Sequence, residues 1–482
     1  MLLKYGGTDA TSAFTAFHAP SVIQQYGPQF YIGELATAEH QHQPVDNDQA
    51  SSETFGNLLP FSEPMWYQGM ASPYYADSHR QLRQAVRAFV DIEIIPFCHE
   101  WDESKALPPS LYKKLASHQG LLAVIGAPIP ESLQTGPPIF GVVERHQYDV
   151  FHWLIVLDEL SRCGSGGVCW GLLAGLAIGL PPIVKFGSSE LQKRVVPSCL
   201  SGDKRICLAI TEPYAGSDVA NIRCEAKLNA AGTHFLVNGE KKFITNAIFS
   251  DYMTLACRTG GEGMKGISLL LVEMATPGVK TRLMDCSGVW SSGTTYITLE
   301  DVQVPVGNII GTLNEGFRCI VTNFNFERLG VVVQALRFAR ICLSDSIAYA
   351  SKRKVFGKRL IDHSVIRYKL AQMSRQVEAG QAWLEVLVYQ MQNMDPEEAM
   401  LKLGGPIALL KAQSTLTLEY CAREAAQIFG GLAYTRGGQG ERVERIYREV
   451  RAYAIPGGSE EIMLELGVRQ SLKVAQMMEC KL

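Results

Sequence analysis

The chain has 482 residues, which at ~100–200 residues per domain allows roughly three domains and a core large enough to enclose a cofactor. Hydrophobic residues make up 47% and charged residues 19%, and 45 Lys+Arg against 48 Asp+Glu leave a formal net charge of −3. Sustained binding to nucleic acid or to an acidic membrane is disfavoured, because there is neither a cationic excess nor a long Lys/Arg run to release counterions. The twelve cysteines stand singly, without C-x-x-C or paired Cys/His spacing, and read as thiols of a reducing compartment with no metal site.

Residues 1–35 form a short N-terminal piece, and residues 36–73, polar and without hydrophobic period, read as a solvated linker. A helical domain is expected over 74–204. Leu82, Val86, Phe89, Val90 and Ile94 recur at helical spacing behind Asp77-Ser78. Further helices are expected at Leu111–His118, Asp149–Ser161, Val168–Leu180 and Glu190–Leu200. Val168 to Val184 is apolar but short for a span of ~20 residues and carries Gly171, Gly175 and Gly179, so it reads as a buried helix rather than a membrane segment. No secretory or transit leader is visible behind Met1.

A β domain is expected over 205–307. Phe235-Leu236-Val237, Asn238-Gly239 and Lys242-Phe243-Ile244-Thr245 read as a hairpin, since Asn-Gly supplies the positive φ values of a type I′ turn. Met253–Cys257, Ile267–Val272 and Tyr296–Leu299 read as further strands. Helices return over 308–482, where Ile366, Leu370, Met373, Val377, Leu384 and Leu387 draw one apolar stripe, the mark of a bundle helix. The order α, β, α, without βαβ alternation or G-x-G-x-x-G, excludes a Rossmann domain.

Leu208 to Asp218 (LAITEPYAGSD) and Gly239 to Asn246 (GEKKFITN) resemble the first signature of the acyl-CoA dehydrogenases. Arg353 to Lys358 (RKVFGK), Gln427-Ile428-Phe429-Gly430-Gly431 and Gly457 to Ile462 (GGSEEI) resemble the family's C-terminal motifs, so the likeness runs in order from about Tyr74 to Leu472. It implies an N-terminal helical domain, a middle β-barrel-like domain and a C-terminal four-helix bundle, an α+β architecture. It also implies FAD, an acyl-CoA substrate, an electron-transfer flavoprotein or oxygen as acceptor, and a homo-oligomer, tetramer or dimer. By that resemblance Thr211 and Thr245 meet the flavin edge, Phe243 covers the ring, and Ser217 reaches the pyrophosphate. Arg353, Phe356, Gln427, Gly430 and Gly431, with Ser459, belong to the set that holds the FAD phosphates and adenine, part of it across a subunit boundary.

Removing a proton α to a thioester needs one carboxylate in a water-poor pocket, where desolvation raises its pKa. Many members of the family carry that Glu in the last motif, but here the position is Gly457 in Ile455-Pro456-Gly457-Gly458. The isovaleryl and long-chain members carry it instead on the first helix after the β domain, before an Arg. Asn325-Phe326-Glu327-Arg328 stands at that place, which makes Glu327 the expected base, Arg328 a substrate-orienting residue and the Gly457 backbone N–H an oxyanion donor. Glu460 and Glu461 are weaker candidates, expected to start the next helix. The expected reaction is formation of a trans-2-enoyl-CoA, with the β-hydride passing to the flavin. The alternatives are an oxygen-using flavin oxidase of the same fold, or a flavin-binding protein without turnover.

Residues 1–35, with Leu3 to Thr11, Phe14, Phe17-His18 and Ile32 to Leu35, resemble the second half of a cytochrome b5 domain, His18 matching the second haem ligand. No histidine precedes His18, so bis-His ligation is not available in this chain, and ~35 residues lie below the size that folds unaided. The expectation is a vestigial haem segment, or a start inside a longer product. Cys480-Lys481-Leu482 resembles the peroxisomal address S-K-L.

Overall fold

The computed structural model describes residues 54–477. The b5-like segment with His18, and the terminal Cys480-Lys481-Leu482, lie outside the described residues.

The first helices are α1 (Asp77–Glu93), α2 (Pro109–Ser117), α3 (Val150–Ser161) and α4 (Ser189–Leu200). The stripe expected on α1 is buried at Leu82, Val86, Phe89 and Val90. α1 and α3 start side by side with the same device. The Ala76 N–H donates to His79 Nδ1 and the Asp149 N–H to His152 Nδ1, while Asp149 Oδ1 accepts from the His152 N–H. The two imidazoles stack at 3.9 Å, so this His–Asp–His group is spent on capping two helices.

Residues 54–73 are not the solvated linker that their polarity suggests. Trp66 and Tyr67 are buried, with Trp66 stacked on Tyr75 at 3.9 Å. Glu63 accepts from Arg87 Nη1 at 2.9 Å and from Arg337 Nη1 at 3.0 Å. Arg87 also holds Glu159, and Arg337 holds Asp158. Burial would push Glu63 up, but the two guanidiniums hold it at about 2. The sequence pattern misleads because the pairing partners lie far along the chain.

Between α3 and α4 the apolar segment Gly166–Phe186 is long and apolar enough to cross a membrane, yet 67% of its 18-residue apolar window is buried inside the protein. Its glycines seat it against the β domain. A Cβ on Gly171 would lie 2.5 Å from the Ser291 carbonyl oxygen, and one on Gly175 2.5 Å from that of Ile206. Residues Trp170–Ala174 form a π turn, the kind of helical irregularity that often marks a functional site.

The β domain is one sheet of eight strands: β1 (Ile206–Ala209), β2 (Glu225–Leu228), β3 (His234–Ile244), β4 (Tyr252–Arg258), β5 (Ile267–Glu273), β6 (Val279–Leu283), β7 (Thr295–Pro305) and β8 (Ile309–Ile310). The order is β6-β7-β3-β2-β4-β5-β8, with β1 parallel to β4. The sheet curls around its own core of Val237, Met253, Leu255, Leu270 and Ile297. The alternate residues Ala256, Leu269 and Leu271 face the helical core. This two-sided burial explains why β4 and β5 read as continuous apolar runs.

The expected hairpin at Asn238-Gly239 is absent, because β3 runs unbroken through it. The register against β7 shifts between Val237 and Gly239, and Gly239 has φ 148° with no room for a Cβ, which would meet Cys224 Cα at 2.7 Å. Asn-Gly is here a bulge, which uses the same glycine freedom as a turn.

The C-terminal domain contains α5 (Phe324–Lys352), α6 (Ser364–Asn393), α7 (Pro396–Phe429), α8 (Glu441–Ala454) and α9 (Glu460–Met477). α7 packs against each of the other four, so the expected four-helix bundle has a fifth member. The stripe foreseen on α6 is buried throughout.

Candidate active site

A cavity of about 160 Å³ lies where the three domains meet. Thr245, just past β3, lines it together with Glu327 on α5 and Pro456-Gly457 after α8. Trp153 and Leu157 of α3 and Ala174 and Ala177 of the apolar segment close it. A second cavity of about 330 Å³ shares Ile125, Gly126 and Phe326 with the first and is bordered by Pro182, Lys185 and Asn323.

Glu327 sits in the first turn of α5, where the helix dipole favours an anion. Asn323, the N-cap, turns its side chain to Glu327 instead of capping: its Nδ2 donates to Glu327 Oε1 at 2.9 Å. Burial nevertheless pushes the carboxyl up to about 7, against the opposing pull of Asn323 and Arg328. Its surface is only partly covered because it opens onto the cavity, and that cavity is itself walled by protein. A group so poised accepts a proton near neutral pH.

Gly457 has φ 70°, and among the described residues its N–H donates to no protein acceptor. Its loop is tied from two sides. Arg328 Nε donates to the Gly457 carbonyl at 3.2 Å, so Arg328, expected to orient substrate, is turned to the loop. Lys411, fully buried on α7, donates to the Ala454 carbonyl at 2.8 Å and the Gly458 carbonyl at 2.7 Å. Burial brings its ammonium down to about 8.

The two parts of the first signature are joined by a buried pair. Lys241 Nζ donates to Glu212 Oε1 at 2.8 Å and to the Ile210 carbonyl at 2.9 Å. Glu212 also accepts from the N–H groups of Arg223 and Cys224. The Lys242 N–H donates to the Thr211 carbonyl at 2.9 Å. These bonds set Thr211 beside the turn of β3 that carries Phe243, whose φ of 62° and 55% exposure are unusual for an aromatic. Asn246 accepts from the Gly175 N–H at 2.8 Å and donates to the Ser292 carbonyl at 2.9 Å, which fixes the neighbouring Thr245 against the apolar segment.

The remaining expected residues are not in the cavity. Ser217, Arg353, Phe356, Gln427, Gly430 and Gly431 are exposed. The chain around Arg353 and that around Gln427 meet where Tyr349 stacks on Phe429 at 4.5 Å. Ser459 donates to Glu461 at 3.0 Å at the head of α9, a helix-start contact, with Glu460 and Glu461 in the first turn as expected. Sequence reasoning missed Asn323, Lys411 and the Glu212–Lys241 pair. Only Asn323 had a local signal, its spacing of four from Glu327.

The chain matches the models of the acyl-CoA dehydrogenase N-terminal domain over residues 76–203, middle domain over 207–302 and C-terminal domain over 314–472. It is 43% identical to the Emericella nidulans acyl-CoA dehydrogenase apdG, over 88% of this chain and 98% of that relative. A probable acyl-CoA dehydrogenase structure from Mycobacterium abscessus superposes with a TM-score of 0.74 at 34% identity, covering 82% of this chain and 99% of that one. The structure of a Bacillus anthracis acyl-CoA dehydrogenase complexed with FAD gives a TM-score of 0.73 at 26% identity, covering 85% and 70%. The domain order, the cavity at the domain junction and these likenesses agree that the chain belongs to the acyl-CoA dehydrogenase family.

Proposed function

We propose that this acyl-CoA dehydrogenase uses Glu327 as the base that removes the α-proton of an acyl-CoA, with the Gly457 N–H polarising the thioester carbonyl. The carrying observation is the meeting, in one apolar cavity, of a carboxyl held near neutral pKa and an N–H without a protein acceptor. The thioester enters through the second cavity, past Phe326, which borders both.

The residues present fit FAD. Phe243 offers an exposed aromatic face, the hydroxyls of Thr211 and Thr245 engage no partner among the described residues, and Gly216 has only the Thr211 methyl, at 4.0 Å, near the place of a Cβ. Thr211, Thr245 and Phe243 would hold the ring and Ser217 the pyrophosphate. The exposed Arg353, Phe356, Gln427, Gly430 and Gly431 would meet the rest across a homo-oligomer, with Ser459 near the adenine end. Bound there, FAD supplies the hydride acceptor for the β-carbon. Glu327 takes the proton, Asn323 orients the carboxylate, and the apolar walls exclude water.

Electrons then pass to an electron-transfer flavoprotein type of acceptor. Anaerobic bleaching of the flavin by acyl-CoAs tests this reading; no bleaching with straight, branched or aromatic thioesters would defeat it. Peroxide release without an added acceptor would favour the oxidase alternative. The terminal Cys480-Lys481-Leu482 supports a peroxisomal location, to be tested by imaging a fusion with and without those residues. Residues 1–35 are proposed as b5-like, and since no histidine precedes His18 in this chain, the purified chain should show no bis-His haem absorbance.

A further inference from the structure

Besides the Gly457 N–H, the cavity wall offers one side-chain N–H group without a protein acceptor among the described residues. Its lining is otherwise apolar apart from Thr245 and Glu327. Gln334, on α5, takes two bonds on its amide oxygen, from Trp170 Nε1 at 3.2 Å and from the Tyr453 hydroxyl at 2.8 Å. An indole N–H can only donate, so the atom facing Trp170 must be the oxygen. The amide nitrogen is thereby turned away from Trp170 and Tyr453, and it meets no acceptor among the described residues. Gln334 itself is 9% exposed and lines the cavity. Buried polar groups are nearly always satisfied, and unsatisfied ones in a binding cavity point to a ligand atom that completes them.

Gln334 lies seven residues beyond Glu327 on the same helix. That spacing returns to the same helix face about 10 Å further along. A chain whose α-carbon sits at Glu327 reaches it after roughly eight bonds of extended acyl group.

We propose that the acyl group oxidised here carries a hydrogen-bond acceptor, a keto-type oxygen, in its distal half, received by Gln334 Nε2. Gln334 is then a specificity-determining residue, and a purely alkyl acyl chain leaves its donor unpaired. The inference rests on the acyl-CoA reading above and concerns only the far end of the same site.

The test is steady-state kinetics of the FAD-loaded enzyme with decanoyl-CoA against its 7-oxo, 8-oxo and 9-oxo counterparts. We expect kcat/KM to favour one oxo thioester by at least about tenfold, mostly through KM, since the contact is remote from the reacting carbons. Gln334→Met should lower that ratio several-fold. Gln334→Glu, which keeps an oxygen toward Trp170 and Tyr453 but has no N–H, should abolish it. A ratio near one in the wild type, as a trapped water would give, overturns the proposal, and so does a ratio that neither variant changes. If neither alkyl nor oxo thioesters reduce the flavin, it is the acyl-CoA reading that fails.

Discussion

Replacing Glu327 by Gln tests the base and its environment together. The carboxyl titrates at about 7 in the folded protein against an ordinary 4.5, and at ~1.4 kcal/mol per pH unit this makes its ionised form about 3 kcal/mol dearer in the fold than in the unfolded chain. A carboxyl whose folded pKa is raised favours folding while protonated, and that advantage is lost as pH rises from 4.5 to 7. Glu327→Gln, which cannot ionise, should therefore match the wild type near pH 4.5 and become more stable by up to about 3 kcal/mol above pH 7. Chemical denaturation of the two proteins from pH 5 to 8 measures the difference. Activity should move the other way. About a tenth of the carboxyl is ionised at pH 6 and about nine-tenths at pH 8, so wild-type kcat/KM should rise about tenfold between them. The Gln variant should lose roughly 10²- to 10⁴-fold at any pH while retaining FAD. A pH-independent stability difference, or turnover that survives in the variant, would refute the assignment.

Lys411→Met removes the two bonds that tie the Gly457 loop to α7 and leaves the one from Arg328. It should cost about 1–3 kcal/mol in thermal denaturation and lower kcat, with the pH midpoint of the reaction still near 7 because Glu327 is untouched. Lys241→Met leaves the Glu212 carboxylate buried without its cation, a loss of about 3–5 kcal/mol, and FAD should wash out on gel filtration more readily than from the wild type. Gly457→Ala has steric room, its nearest neighbours being 3.9 Å and 4.0 Å away, but at φ 70° it should cost about 1–2 kcal/mol. Its kcat should fall as the N–H tilts, with flavin content unchanged.

The architecture was legible because its signals are local: the period on α1 and α6, the apolar runs of β4 and β5, and a glycine stripe on a helix too crowded for membrane. Glu327 could be singled out as the candidate base because the alternative position is a glycine, and the structure places it in the cavity. What escaped depends on partners far apart in the chain. Lys411 reaches residues 454 and 458, and Glu212 reaches 241; a charged residue reads as surface until its counterpart is known. Asn238-Gly239 was misread because a bulge and a turn ask the same of glycine, and only the strand opposite decides between them. Arg328 shows the same limit within the candidate site, since its neighbour in sequence faces the cavity while its own side chain closes the loop.

The carboxylate of Glu63 has a consequence for where this enzyme begins. The family domain match starts at residue 76, yet Glu63 is shared between arginines of α1 and α5, and α5 is the helix that carries Glu327. A protein trimmed to that boundary would keep every motif of the family and lose the clamp between its first helix and the helix of Glu327. The working unit is thus longer than the span of the three domain models. The residues that most resemble a tether serve as a keystone, and expression trials should start upstream of Phe55, whose N–H is bonded to the Tyr67 carbonyl.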